Sequence, residues 1–173
     1  MSGQGRPVIL ALGSNLGDRQ EILQGAVDAI AGIGQVRVTA VSRLYETVPA
    51  GGPPQPDYLN AVVLARTTLP SRDLLGRLHE IEAAFDRQRT VRWGARTLDI
   101  DIITSGGERS DDPDLTLPHP RAHERAFVLA PWHDVDPGAV LPGFGPVAAL
   151  LEKAGRSGIR PLATGLLAPG EDA

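Results

Sequence analysis

The stretch Leu98-Asp99-Ile100-Asp101-Ile102 alternates apolar and acidic residues without a break, and that pattern leaves a folding chain few choices. With a period of two, Leu98, Ile100 and Ile102 share one face and Asp99 and Asp101 the other, so Thr97 to Thr104 is expected to be a strand with its apolar side in the core. The same alternation holds the two carboxylates about 7 Å apart on one surface. Such neighbours repel unless a bound cation or a facing arginine compensates. Mg²⁺ suits the pair, because it takes one or two carboxylates and leaves the rest of its shell to water and phosphate oxygens. An ordinary exposed strand face looks the same in isolation, so the flanking residues have to decide.

Those residues are unusual. Arg87, Arg89, Arg92 and Arg96 fall within the ten positions that lead into the carboxylate pair. Arginine presents a planar fork of donors matched to phosphate oxygens, although a single exposed arginine more commonly serves only a solvated ion pair. Trp93, beside Gly94 in this charged stretch, needs a surface to cover, either a flat ligand ring or the docking site of its own loop. The chain as a whole is acidic, with a formal net charge of -4 and a pI of about 5.5, so its positive charge is local. That balance argues against a general nucleic-acid or membrane-surface binder. The absence of cysteine removes disulfides, thiolate zinc sites and thiol nucleophiles. The amino terminus lacks the apolar core of a signal peptide and no run is long enough to span a bilayer, so a cytoplasmic protein is expected.

Periodicity along the chain orders the elements. Val8 to Leu12 reads as a buried strand ending at Gly13-Ser14-Asn15, with Ser14 or Asp18 capping the helix that follows. Ile22, Leu23, Ala26, Val27, Ile30 and Ile33 mark that helix, and Gly32 and Gly34 its stop. Val36 to Leu44 alternates as one half-buried strand, and the proline-rich Pro49 to Pro56 as a loop. Leu59 to Thr68 is the next strand. Ser71 then stands as an N-cap for a helix whose inner face is Leu74, Leu78, Ile81 and Phe85. Gly106 to Asp114 reads as an exposed acidic connection and Leu115 to Leu117 as a short strand. Ala126 to Val135 and Val147 to Lys153 are expected helices, and the stretch 155–173 an irregular tail. This order predicts an α+β fold, a ferredoxin-like αβα sandwich with helices packed on a largely antiparallel sheet. At 173 residues and 42% hydrophobic, one domain spanning 1–173 is expected. A dinucleotide fold fits less well, because Gly13-Ser14-Asn15-Leu16-Gly17 has neither a third fingerprint glycine nor a Gly-Lys-Ser/Thr ending.

Arg92-Trp93-Gly94-x-Arg96-Thr97-Leu98-Asp99-x-Asp101 resembles the signature of the 6-hydroxymethyl-7,8-dihydropterin pyrophosphokinases. Three further stretches resemble the same family in its order: Gly13 to Arg19; Tyr45-Glu46-Thr47 with Gln55 to Asn60; and Leu117-Pro118-His119-Pro120 with Arg125-Ala126-Phe127. The likeness runs from about residue 8 to residue 137. It implies an enzyme of folate biosynthesis that transfers pyrophosphate from ATP to the hydroxymethyl group of 6-hydroxymethyl-7,8-dihydropterin and releases AMP.

By that resemblance Asp99 and Asp101 hold two Mg²⁺ ions, with Arg87 and Arg96 as further catalytic residues. ATP would be met by Glu82, Arg87, Arg89, Arg92, Arg96, Ile102, Thr116, His119 and Arg125. The pterin would be met by Thr47, Val48, Ala50, Tyr58, Asn60, Trp93 and Phe127. An asparagine amide suits a heterocycle edge that both donates and accepts, and aromatic rings suit its faces. Val48 and Ala95 stand where many members of the family have proline, and Ala50 where they have a larger apolar residue. The expected partners are ATP and the pterin alone, with no nucleic acid or membrane, and the expected state is a monomer.

Three other readings weaken on particular residues. His119 and His123 have the spacing of a zinc pair, but Pro120 lies between them and no glutamate is placed for a metalloprotease. An RNA-binding module would need aromatic residues on central strands and a more basic surface. A metal-dependent nuclease or glycosyltransferase would use the aspartates without requiring Tyr58 and Asn60.

Overall fold

The computed structural model describes residues 5–15, 17–48, 56–85 and 97–166. Strand β1 (Arg6–Ser14) lies inside a sheet and is buried along nearly its whole length, as its continuous apolar run requires. Helix α1 (Arg19–Ala31) follows, its first turn capped by Asp18 Oδ1, which accepts the Glu21 N–H at 3.1 Å. The helix ends at Gly32, and Leu23, Ala26, Val27 and Ile30 are its buried face.

The alternating stretch expected as one strand is two, β2 (Val36–Val41) and β3 (Arg43–Thr47). The break falls at Ser42, whose N–H donates to the Val62 carbonyl at 2.9 Å while its Oγ accepts the Val62 N–H at 2.8 Å. A side chain thus replaces one backbone acceptor, and the ladder bends there. Strand β4 (Tyr58–Thr67) is long enough to pair with both halves.

In helix α2 (Ser71–Phe85), Ser71 is the first helical residue rather than the cap before it. Its hydroxyl is engaged elsewhere, accepting from Arg6 at 3.1 Å and donating to Glu108 at 2.5 Å. Strand β5 (Asp99–Ser105) realises the alternation that opened the sequence. The acidic connection after it is not structureless, since β6 (Ser110–Asp112) pairs with β7 (Leu115–Leu117). Asp112 builds the turn between them by accepting the Asp114 N–H at 2.9 Å, local chemistry that outweighs the poor strand propensity of aspartate.

A 3-10 turn (Ala122–Glu124) leads into α3 (Ala126–Val135), which has the bounds expected. A small hairpin, β8 (Val140–Leu141) with β9 (Gly145–Pro146), precedes α4 (Val147–Ala154). The expected irregular tail is corrected over Ile159–Gly165, which forms β10 at the edge of the main sheet. An edge strand needs only one ladder, so it tolerates Pro161 and shows no alternation.

The sheet order is β10-β3-β4-β1-β5, with β2 also on β4, and every recorded pairing is antiparallel. Leu10, Leu12, Val63, Leu98 and Ile100 face α1 and α2 in one core, while Ile9, Tyr45, Val62 and Ile103 face α3 and α4 in another. Helices therefore cover both faces, the αβα sandwich expected. Among the described residues no helix is long and apolar enough to cross a membrane.

Candidate active site

On the α3 face the central strands end in residues too small to fill the space above them. Ala11 and Gly13 on β1 stand opposite Asp101 and Asp99 on β5, and Gly13 stands opposite Asn60 on β4. A cavity of about 700 Å³ opens over this floor. Strand spacing sets its width, since Asn60 and Asp99 flank the same glycine from opposite sides and are about 10 Å apart.

Asp99 and Asp101 line one end of the cavity, and Asp101 is exposed to it. The Ile100 N–H between them points away from β1 and donates to Glu82 Oε2 at 2.8 Å, so α2 secures the strand edge that carries both carboxylates. Among the described residues no group of three or more His, Asp or Glu forms a complete metal cage. Two carboxylates lining one cavity fit Mg²⁺, whose remaining positions a substrate's oxygens can fill.

The opposite end carries Thr47, Val48, Tyr58 and Asn60. Asn60 is buried and donates from Nδ2 to Thr47 Oγ1 at 2.7 Å. A Cβ on Gly13 would come within 2.9 Å of Asn60 Oδ1, so only glycine lets the amide lie flat against the floor. Val48 is 60% exposed, unusual for valine, and its N–H donates to the Gly158 carbonyl at 3.0 Å.

The side wall is the start of α3. Arg125 lies over the Phe127 ring, 5.5 Å from its centroid, and Arg121 and Glu124 line the same wall. His119 is tied beside β5 through its N–H to the Ile103 carbonyl at 2.9 Å, and its Nδ1 accepts the Arg121 N–H at 3.2 Å. Burial pushes its imidazole pKa below the ordinary value; Asp101 opposes the shift, and Arg125 and Arg121 add to it.

The fold thus brings Asp99, Asp101, Thr47, Val48, Tyr58, Asn60, Arg125 and Phe127 around one cavity, with His119 at its edge. It does not bring Ile102 or Thr116 to the cavity. Ile102 is 5% exposed in the core beneath α1 and α2, and Thr116 donates to the Asp112 carbonyl at 2.9 Å in the β6–β7 hairpin. Glu82 stands behind β5, holding Ile100. Arg87, Arg89, Arg92, Arg96, Trp93 and Ala50 lie outside the described residues. The floor residues Ala11 and Gly13, Arg121, and the wall formed by Ser157, Gly158 and Ile159 are cavity residues that motif reading missed. Gly13 had a signal in its place at the end of a buried strand; the 157–159 wall had none.

The sequence pattern of the 7,8-dihydro-6-hydroxymethylpterin-pyrophosphokinases matches residues 9–137. The 2-amino-4-hydroxy-6-hydroxymethyldihydropteridine pyrophosphokinase of Mycobacterium leprae is 48% identical over 145 residues, covering 78% of this chain and 74% of its own. The protein of that name from Pseudomonas aeruginosa is 44% identical over 135 residues, covering 78% and 83%. Among solved structures, a triple mutant of HPPK-DHPS from Plasmodium falciparum superposes with a TM-score of 0.65 at 16% identity, over 86% of this chain and 44% of that one. An HPPK-DHPS in complex with substrates gives 0.66 at 13% identity, over 86% and 43%. At such identities these two establish a shared fold, and the chain spans less than half the length of each.

Proposed function

This chain belongs to the 7,8-dihydro-6-hydroxymethylpterin-pyrophosphokinase family, and we propose that the cavity over Gly13 is where it brings its two substrates together. It is a diphosphotransferase of folate biosynthesis that transfers pyrophosphate from ATP to the hydroxymethyl group of 6-hydroxymethyl-7,8-dihydropterin and releases AMP. The observation that carries the site assignment is the row across the sheet: Thr47 and Asn60 at one end, Gly13 in the middle, Asp99 and Asp101 at the other.

A bicyclic heterocycle laid along that row meets polar groups where it needs them. Asn60 and Thr47 recognise its hydrogen-bonding edge, Tyr58 and Phe127 bound its faces, and Val48 and Ala50 border it. Its hydroxymethyl group then points at the carboxylate pair, with the triphosphate beside it. Asp99 and Asp101 would hold Mg²⁺, two ions in this reading, which when bound neutralise phosphate oxygens and polarise the transferring group. Arg125 attracts phosphate from the α3 side, and the neutral His119 ring orients it by donating from Nε2. Arg87, Arg89, Arg92 and Arg96 supply the remaining positive charge and Trp93 a covering ring, while Glu82 steadies the metal-bearing strand through the Ile100 N–H.

Catalysis is then chiefly a matter of position. The substrate hydroxyl attacks the β-phosphorus in line, the new O–P bond forms as the bond to the α-phosphate oxygen breaks, and AMP leaves. The walls around the row exclude the water that would otherwise compete as nucleophile. All of this is assigned to residues 1–173 acting as one domain, a monomer in the cytoplasm.

The test is to incubate the protein with ATP, Mg²⁺ and the reduced pterin. AMP formed only when the pterin is present is expected. ADP formation, or nucleotide turnover without pterin, would overturn the reading.

A further inference from the structure

Behind the pterin end of the cavity, on the other face of the sheet, lies a chain of charges. Glu46 on β3 is 17% exposed and ion-pairs through Oε1 with Arg160 on β10 and through Oε2 with Arg19 on α1, the latter at 3.1 Å. Arg19 also donates to the Asp57 carbonyl at 2.6 Å, immediately before β4 begins. Glu46 is in register with Arg160 on one side and Leu59 on the other. One carboxylate therefore joins β10, β3, α1 and the entry to β4.

Strand alternation places this cluster out of contact with substrate. Thr47, Tyr58 and Asn60 face the cavity, and Glu46 and Leu59, their neighbours in the chain, face the other way. Yet the strands that the cluster joins also carry the cavity residues. Thr47 is held between Ile159 of β10 and Tyr58 of β4, Val48 is tied to the Gly158 carbonyl, and Asn60 bonds Thr47. Gly158 has φ +82, a conformation that favours glycine and turns its carbonyl toward Val48.

We propose that the Arg160–Glu46–Arg19 cluster is a positioning device for the pterin end of the site, acting through Thr47, Val48 and Asn60, and that β10 is thereby part of the functional unit although it lies beyond the family match at 9–137. The proposal rests on the assignment of that end of the cavity to the pterin. Glu46 is suited to the role because a carboxylate shared by two arginines immobilises three side chains at less entropic cost than two separate pairs. Both arginines reach solvent, so removing the charge on Glu46 strands no buried cation, and the fold is expected to survive.

The experiment compares wild type, Glu46→Gln, Arg160→Met and Arg160→Lys by steady-state kinetics in both substrates, with thermal melts and calorimetric binding of the pterin and of a non-hydrolysable ATP analogue. For Arg160→Met, which breaks one exposed ion pair, and for Glu46→Gln, which breaks two, the pterin KM and Kd should rise roughly three- to fivefold. ATP KM and kcat should stay within about twofold, and Arg160→Lys should restore much of the loss. Equal weakening of both substrates, a lowered melting temperature with unchanged pterin affinity, or no change at all would overturn the proposal. Asn60→Ala separates the premise: if it leaves pterin affinity intact, the assignment of that end of the cavity fails irrespective of the cluster.

Discussion

The amide nitrogen of Asn60 donates to the hydroxyl of Thr47 at 2.7 Å, joining two neighbouring strands in a place where both side chains are nearly closed to solvent. The bond fixes the amide plane and turns its carbonyl oxygen toward Gly13, so the recognition edge is set before any ligand arrives.

Gly13→Ala tests that preorganisation directly. The new Cβ would stand 2.9 Å from Asn60 Oδ1 and 3.6 Å from Tyr58 Cδ1, displacing the amide rather than the backbone. The variant should fold, with pterin affinity lowered roughly tenfold or more, about 1.4 kcal/mol, and ATP binding little altered. Calorimetric titration with each substrate checks this.

Glu82→Ala removes the acceptor of the Ile100 N–H, which lies between the two aspartates on the outer edge of β5. Loss of one hydrogen bond to a charged group costs about 1.5–3 kcal/mol of stability, and the strand edge that carries the carboxylate pair loses its anchor on α2. kcat should fall more than pterin Kd rises, and the Mg²⁺ concentration for half-maximal activity should increase. Equilibrium denaturation beside a Mg²⁺ titration separates the two effects.

Neutralising the pair itself should be more severe. Asp99→Ala or Asp101→Ala is expected to lower turnover by roughly a thousandfold or more while leaving pterin binding within a few-fold, because the pterin edge is read by Asn60 at the far side of Gly13. Near-normal turnover in either variant would remove the metal assignment.

How much of this the sequence reveals depends on how local the cause is. The period of two in β5 and of 3.6 in α1 and α2 predicts which residues enter the core, because burial acts on each residue through its own strand or helix. That alternation also puts Ile102 with Leu98 and Ile100, on the face away from the aspartates, which is where it lies. What escapes is the work of distant partners. The Ser42 hydroxyl breaks a strand by bonding Val62, and Arg160 reaches Glu46 across 114 residues. The edge strand β10 is recruited by a backbone ladder that leaves no periodic trace.

Tyr45 supplies a test on the side of the sheet that faces α3. It is 1% exposed and donates its hydroxyl to Asp134 Oδ2 at 2.5 Å. Burial raises its pKa, the Asp134 bond adds to the rise, and Arg156 opposes it. The unfolded chain therefore loses this proton first, and the stability linked to it is full below pH 10 and declines as pH rises beyond that. Tyr45→Phe should cost about 1–3 kcal/mol at neutral pH and flatten that alkaline decline. Urea denaturation at neutral and alkaline pH measures both.

His119 gives the complementary acid-side prediction. Its pKa is lowered chiefly by burial, with Arg125 and Arg121 reinforcing and Asp101 opposing. The neutral ring is the form whose Nδ1 accepts the Arg121 N–H, and a proton on Nδ1 would abolish that bond. As pH falls below the ordinary value of 6.5, the unfolded chain takes up the proton while the folded chain still refuses it. Unfolding free energy must then decrease with falling pH, and the decrease ends only once the folded pKa has been passed. Above 6.5 both states carry a neutral ring and the contribution is flat. His119→Gln keeps a polar side chain but cannot titrate, so its stability should fall less than that of the wild type across the same interval. Denaturation midpoints between pH 5 and 8 decide it: parallel curves for the two proteins would mean that the histidine titrates alike in the folded and unfolded chain, and that the cavity edge does not hold it neutral.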